Sequence, residues 1–250
     1  LRRFDRRERR PFRSGAPYLV PILAAAGAAA LLWTYRAELA AIGSGAVESP
    51  ETQVRHAVAN LGRAHLDDVY GYRAGGTAEL APVRYRDVVV AFEGPKALVT
   101  AQLEAEGHVD WRGQSATLTY LGRERFHMHP CSIALYCAEG DGFDRLRGVL
   151  LALFRREDAF NARDPAALGR LASPGHDGPR AEALRRAAGD YAAEPGARVR
   201  ILAWQIRADR DSAEVGEDYE LAVPGHEARR LRAHYRLARD GARWLFTSGL

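Results

Sequence analysis

Between Ser212 and Leu237 apolar and polar side chains alternate with a period of two, the mark of strands with one dry face and one wet face. In "SAEVGEDYELAVPGHEARRLRAHYRL" the dry set includes Ala213, Val215, Tyr219, Leu231, Tyr235 and Leu237, and acids and arginines dominate the other. A turn at Pro224 to His226 folds the stretch into an antiparallel hairpin. That register sets Glu220 against Arg230, Asp218 against Arg232 and Glu214 against Arg236. On the opposite face Tyr219 meets Leu231, Val215 meets Tyr235 and Ala213 meets Leu237. Cross-strand pairs of opposite charge contribute roughly 0.2–1 kcal/mol each, whereas like charges repel, so a single register satisfies both faces. A second hairpin, with Asp240 and Gly241 as its turn, brings Leu237 opposite Trp244 and Tyr235 opposite Phe246. Four closing strands are thus expected at about 198–207, 212–223, 227–238 and 242–249.

Upstream, the period changes. Ser49 is placed to cap a helix that Pro50 opens, and Val54, Val58, Leu61 and Val69 recur at helical spacing, with His65 on the same stripe as a packed core residue. Gly75 and Gly76 end that pattern. Residues 83–130 then read as four strands parted by Gly-containing turns: "VRYRDVVVAFEG", "KALVTAQLEAEG", "WRGQSATLTYLG" and "RERFHMHP". After "CAEGDG" a second helix starts near Phe143 and repeats Leu146, Leu150, Leu153, Glu157 and Phe160. Asp164 before Pro165 starts a short helix, and Pro179 another. Helix-then-meander therefore occurs twice, and Val54 aligned on Leu146 with Tyr120 on Tyr235 reads as an internal repeat. The expected fold class is α+β, with one domain over 50–138 and a second over 142–250.

Charge separates the N-terminus from everything after it. Residues 1–36 hold eight arginines against Asp5 and Glu8, whereas the formal charge of the whole chain is only +4, so the rest is slightly acidic. No charge falls between Ser14 and Tyr35, a run that spans roughly 33 Å as a helix against a bilayer core of about 30 Å. The expectation is a cytoplasmic basic tail at 1–13, a transmembrane helix at 14–36, a linker at 37–49, and the remainder outside the bacterial inner membrane. A cleaved export signal is the rival reading, since "AELAAIGSGA" offers small residues and "RRPF" a weak twin-arginine motif. Both readings put the bulk of the chain in an oxidising compartment, where Cys131 and Cys137 in "HPCSIALYC" favour a disulfide. Free thiols, or a soft-metal set of His127, His129 and Cys131 along one strand face, remain as alternatives. No metal or cofactor is expected.

The second half resembles the nuclear transport factor 2-like superfamily, which includes SnoaL-like cyclases and ketosteroid isomerases. The residues carrying the likeness are "FRREDAFNARDPAALGRLASPG" and the closing "RAHYRLARDGARWLFTSGL", and it covers 142–250 well and 50–138 poorly. The resemblance implies two cone-like domains, each a long helix packed on a curved antiparallel sheet around a cavity. On the apolar sheet face one acid, Glu217, stands opposite Ala233 beside Tyr219 and Tyr235, and Glu157 lies on the helix stripe. These four are the candidate pocket lining; a catalytic aspartate–tyrosine pair is not matched, and no catalytic residue is assigned. Because the arginine ladder is neutralised, no nucleic acid is expected as partner. The expected function is a membrane-anchored, periplasm-facing scaffold or binding module that assembles with envelope proteins or itself. The alternative is an exported small-molecule binder or SnoaL-like enzyme using the second domain's cavity.

Overall fold

Alternation governs the longest strands of the computed structural model. Strand β4 (Gln114–Ser132) turns Ala116, Leu118, Tyr120, Glu124, Phe126 and Met128 inward in steps of two, and its neighbour β3 (Lys96–Trp111) buries Ala97, Val99, Ala101, Leu103, Ala105, Val109 and Trp111 likewise. The structure describes residues 36, 48–66, 76–132, 135–139, 142–173, 182, 189 and 196–250. The chain divides into two compact units, Leu1–Glu48 and Ser49–Leu250, and the sheet with its packed helices belongs to the second. The expected transmembrane segment, Val69 and nearly all of the helix expected after Pro179 lie outside the described residues. No helix among the described residues is long and apolar enough to cross a membrane.

Ser49 caps α1 (Pro50–Ala59), its Oγ accepting from the Thr52 amide at 3.2 Å, and Val54 and Val58 are its buried face. The helix stops there, and the chain re-forms as a short strand, β1 (Ala64–Leu66), paired with β2 (Thr77–Glu93). His65 accordingly sits on a strand with half its side chain exposed, 3.7 Å from Glu79, and is not the core histidine that helical spacing implied. Gly107 and Gly122, read as turns, lie inside β3 and β4. A Cβ at Gly107 would collide with the Glu79 carbonyl on the next strand, so glycine marks a close backbone approach here. The disulfide joins Cys131 to Cys137 across β4 and β5 (Leu135–Glu139), which removes the free-thiol and soft-metal alternatives.

Helix α2 (Asp144–Asn161) and the single turn α3 (Pro165–Gly169), capped by Asp164, lead to β6 (Arg198–Ala208), β7 (Ser212–Ala222), β8 (Arg229–Asp240) and β9 (Arg243–Ser248). The strands form one nine-stranded sheet in the order β1-β2-β3-β4-β6-β7-β8-β9, with β5 on β4. All pairings are antiparallel except β4 with β6. The two stretches read as separate domains therefore share one sheet and one buried core. The physical reason lies in that parallel pair. Parallel neighbours need a long crossover, and α2, read as the opening of a second domain, lies in the connection from the first four strands to β6.

The β7–β8 register matches the sequence expectation at every pair, from Ala213 opposite Leu237 to Glu220 opposite Arg230. The β8–β9 hairpin is displaced by two residues, with Arg239 opposite Trp244 and Leu237 opposite Phe246. An even displacement keeps each residue on its face, so Trp244 and Phe246 are buried as expected.

Candidate functional site

Two carboxyl groups of the candidate set meet in the core. Glu217 projects inward from β7 directly opposite Trp204 of β6 and Ala233 of β8, and it is 1% exposed. Its oxygens accept three hydrogen bonds, from Trp204 Nε1 at 2.9 Å, Tyr235 Oη at 2.8 Å and Arg156 Nη1 at 3.1 Å. Arg156 comes from α2, and its guanidinium also lies 4.4 Å from the centre of the Tyr235 ring, a cation–π contact. Burial disfavours the Arg156 charge, but Glu217 and the nearby oxygens outweigh that cost and raise its pKa. Burial and the adjacent Glu217 likewise push the Tyr235 phenol up, keeping it a hydrogen-bond donor.

Glu157, the next residue along α2, is also 1% exposed. Asn161, one helical turn on, donates to its Oε1 at 2.6 Å and ties the helix end to β6 through the Val199 backbone. The second oxygen, Oε2, makes no hydrogen bond of good geometry among the described residues, and Gln114 is close enough to the carboxyl to favour its charged form. Burial first, and then repulsion from Glu217, push the Glu157 carboxyl up to about 7. Tyr219 lies half-buried on the same face of β7, two residues from Glu217 and opposite Leu231.

Aromatic rings stack in the core, and of the four candidate residues only Tyr235 borders a described cleft. Trp111 stacks on Trp204 with ring centres 4.9 Å apart and on Phe154 at 5.2 Å, and Phe154 reaches Trp204 at 5.9 Å. Three clefts on the described surface are lined by neither Glu157 nor Glu217. Among the described residues no group of His, Cys, Asp or Glu is placed to hold a metal ion.

A further buried carboxyl escaped the sequence expectations. Glu124 is 2% exposed on β4, where that strand has left β6 at Gly122 and not yet met β5 at His127. Tyr120, on the same strand and face, donates to its Oε1, and Arg145 of α2 donates to Oε2 at 3.1 Å. Gly122 lies between them, and a Cβ there would collide with the Tyr120 hydroxyl, so glycine leaves room for the phenol to lie along the strand. Burial pushes Glu124 up to about 7, against the opposing pull of Tyr120 and Arg145. The signal was present as "YLGRE", an acid in phase with Tyr120 and Phe126 on an inward face. Arg145 and Arg156 are eleven residues apart, three helical turns, so α2 delivers both cations to the sheet from one face.

No protein-family model matches the sequence, and no curated protein matches it. Solved structures to which the chain is partly similar include a protein of the NTF2-like family from Streptomyces avermitilis, with TM-score 0.36 and 17% identity over 40% of this chain and 90% of that one. An NTF2-like protein of unknown function from Shewanella oneidensis has TM-score 0.36 and 16% identity over 41% of this chain and 94% of that one. An NTF2-like protein involved in plasmid conjugation has TM-score 0.32 and 8% identity over 68% of this chain and 76% of that one.

Proposed function

We propose that this chain is a non-catalytic binding module, held by residues 14–36 on the outer side of the inner membrane, where it assembles with envelope proteins. The observation that carries the reading is the engagement of Glu217, which accepts from three internal donors beside the Trp111–Phe154–Trp204 stack and lines none of the described clefts. A catalytic carboxyl must reach substrate, whereas the described clefts open elsewhere. The disulfide and the arginine surplus before residue 14 support the location. A reporter active only outside the cytoplasm, fused after Leu250, is expected to be active and to sediment with membranes. Activity of a cytoplasm-only reporter at the same position would overturn the location.

A second reading draws on one specific observation, the Glu157 carboxyl at about 7 with an unpartnered oxygen, which is the profile of a general acid or base. Glu157→Gln decides between the two. A folded variant that keeps full function in cells fits the binding module, and one that loses it while folded fits an enzyme.

A further inference from the structure

The outer face of α2 forms one wall of a long groove, with α3 opposite and the β8–β9 turn closing its side; the space is about 810 Å³. Its floor is apolar, from Leu151, Ala152, Ala159, Leu171 and Trp244. Three arginines, Arg155, Arg170 and Arg243, stand around it, exposed, their guanidiniums without a hydrogen bond or ion pair to any described residue. The acids of the groove are otherwise engaged: Asp158 pairs with Arg112 at 3.0 Å, Asp164 caps α3 through the Ala167 amide at 2.8 Å, and Asp144 lies 3.9 Å from Arg147. The lining thus holds five arginines against three aspartates, and the guanidiniums of Arg155, Arg170 and Arg243 have no ionic partner of their own, unlike the paired ladder on β7 and β8.

Resting on the binding-module reading, we propose that this groove docks an acidic amphipathic helix of a partner protein. Charge complementarity selects the acid flank, and the apolar floor selects the amphipathic face. The lining positions of α2 run from Asp144 to Ala162, roughly 27 Å at the rise of a helix, which suits a helix of five turns better than a compact small molecule.

The test uses the full-length chain in detergent and an 18-residue designed helical peptide with a Leu/Ala face and Glu flanks, followed by fluorescence anisotropy. A peptide with Lys in place of Glu and anionic phosphatidylglycerol vesicles are the other arms. The Glu peptide is expected to bind, to weaken about tenfold or more in Arg155→Glu/Arg170→Glu/Arg243→Glu, and to lose affinity with salt, while the Lys peptide stays free. The milder Arg155→Gln/Arg243→Gln variant, with an unchanged melting temperature, covers failure of the triple variant to fold. Equal binding of the two peptides, no binding of either, vesicle binding in place of peptide binding, or indifference to the arginine changes would each overturn the proposal. A photocrosslinker at Ala242 or Ala162 that captures residues 174–195 of the same chain would overturn it as well. Any of these leaves the reporter and Glu157→Gln results standing, so the failure is separable from failure of the binding-module reading.

Discussion

The two buried Glu–Tyr–Arg centres look alike as lists of residues and differ in how they are wired. At Glu124 one donor, Tyr120, comes from the same strand and the other, Arg145, from α2. At Glu217 the donors come from three elements, Trp204 on β6, Tyr235 on β8 and Arg156 on α2. The first centre fastens the helix to one strand. The second fastens it to two strands at once while also holding them to β7, so it acts as a cross-brace for the second half of the sheet. Arg145 also borders the open groove, whereas Arg156 lines none of the described clefts. Both guanidiniums are equally shielded, each with 13% of its side chain exposed, so the contrast lies in the donors each acid would strand, two at Glu124 and three at Glu217.

Removing each acid should therefore expose the contrast. Glu217→Ala strands a buried guanidinium and two further donors, with an expected loss of roughly 3–5 kcal/mol in urea unfolding. Glu124→Ala should cost about 1–3 kcal/mol, the ordinary toll of leaving a buried group unpaired. Equal losses would show the two centres to be equivalent.

Acidity provides the next test. Glu124 and Glu157 stand at about 7 in the folded protein against an ordinary value of 4.5, so the folded state binds their protons more tightly than the unfolded state. Stability from these two groups is full below pH 4.5 and declines as pH climbs to about 7, by roughly 3 kcal/mol for each. Glu124→Gln and Glu157→Gln should each flatten part of that slope in melts taken across the interval. A slope unchanged in both variants would contradict the burial assigned to these groups.

The smallest effect belongs to the exposed ladder. Arg232 donates to Asp218 at 2.6 Å, with 72% of the arginine side chain exposed. Arg232→Glu should cost roughly 0.2–1 kcal/mol and Asp218→Arg in the same chain should restore it. A double-mutant cycle without coupling would remove the pair from the account of the sheet, leaving its register to the apolar face.

Legibility tracked the distance over which information had to travel. The β7–β8 register was legible because the charge pattern and the apolar pattern each chose the same pairing across a short turn. Ser49, Asp164 and the disulfide were legible for the same reason, since each partner lies within a few residues. Glu157, Glu217 and Tyr235 stood out as polar groups on apolar faces, but Arg156 lies 61 residues from Glu217, and Trp204, on the preceding strand, meets it only through a register that shifts between Ile201 and Ala203. Glu124 was missed because an acid four residues after a tyrosine reads as surface until the strand's inward face is known.

By itself the amino-acid order determined the α+β class, the closing hairpins, the helix starts capped by Ser49 and Asp164, and the facing of the residues on β7 and β8, because periodicity and turn chemistry act locally. Only the tertiary structure decided that the two halves form a single sheet, that α2 bridges them, and that two of its arginines, Arg145 and Arg156, each find a buried carboxyl. The reason is that a parallel pairing such as β4 with β6 leaves no local mark: its partners are brought together by a long crossover and chosen by how the whole core packs.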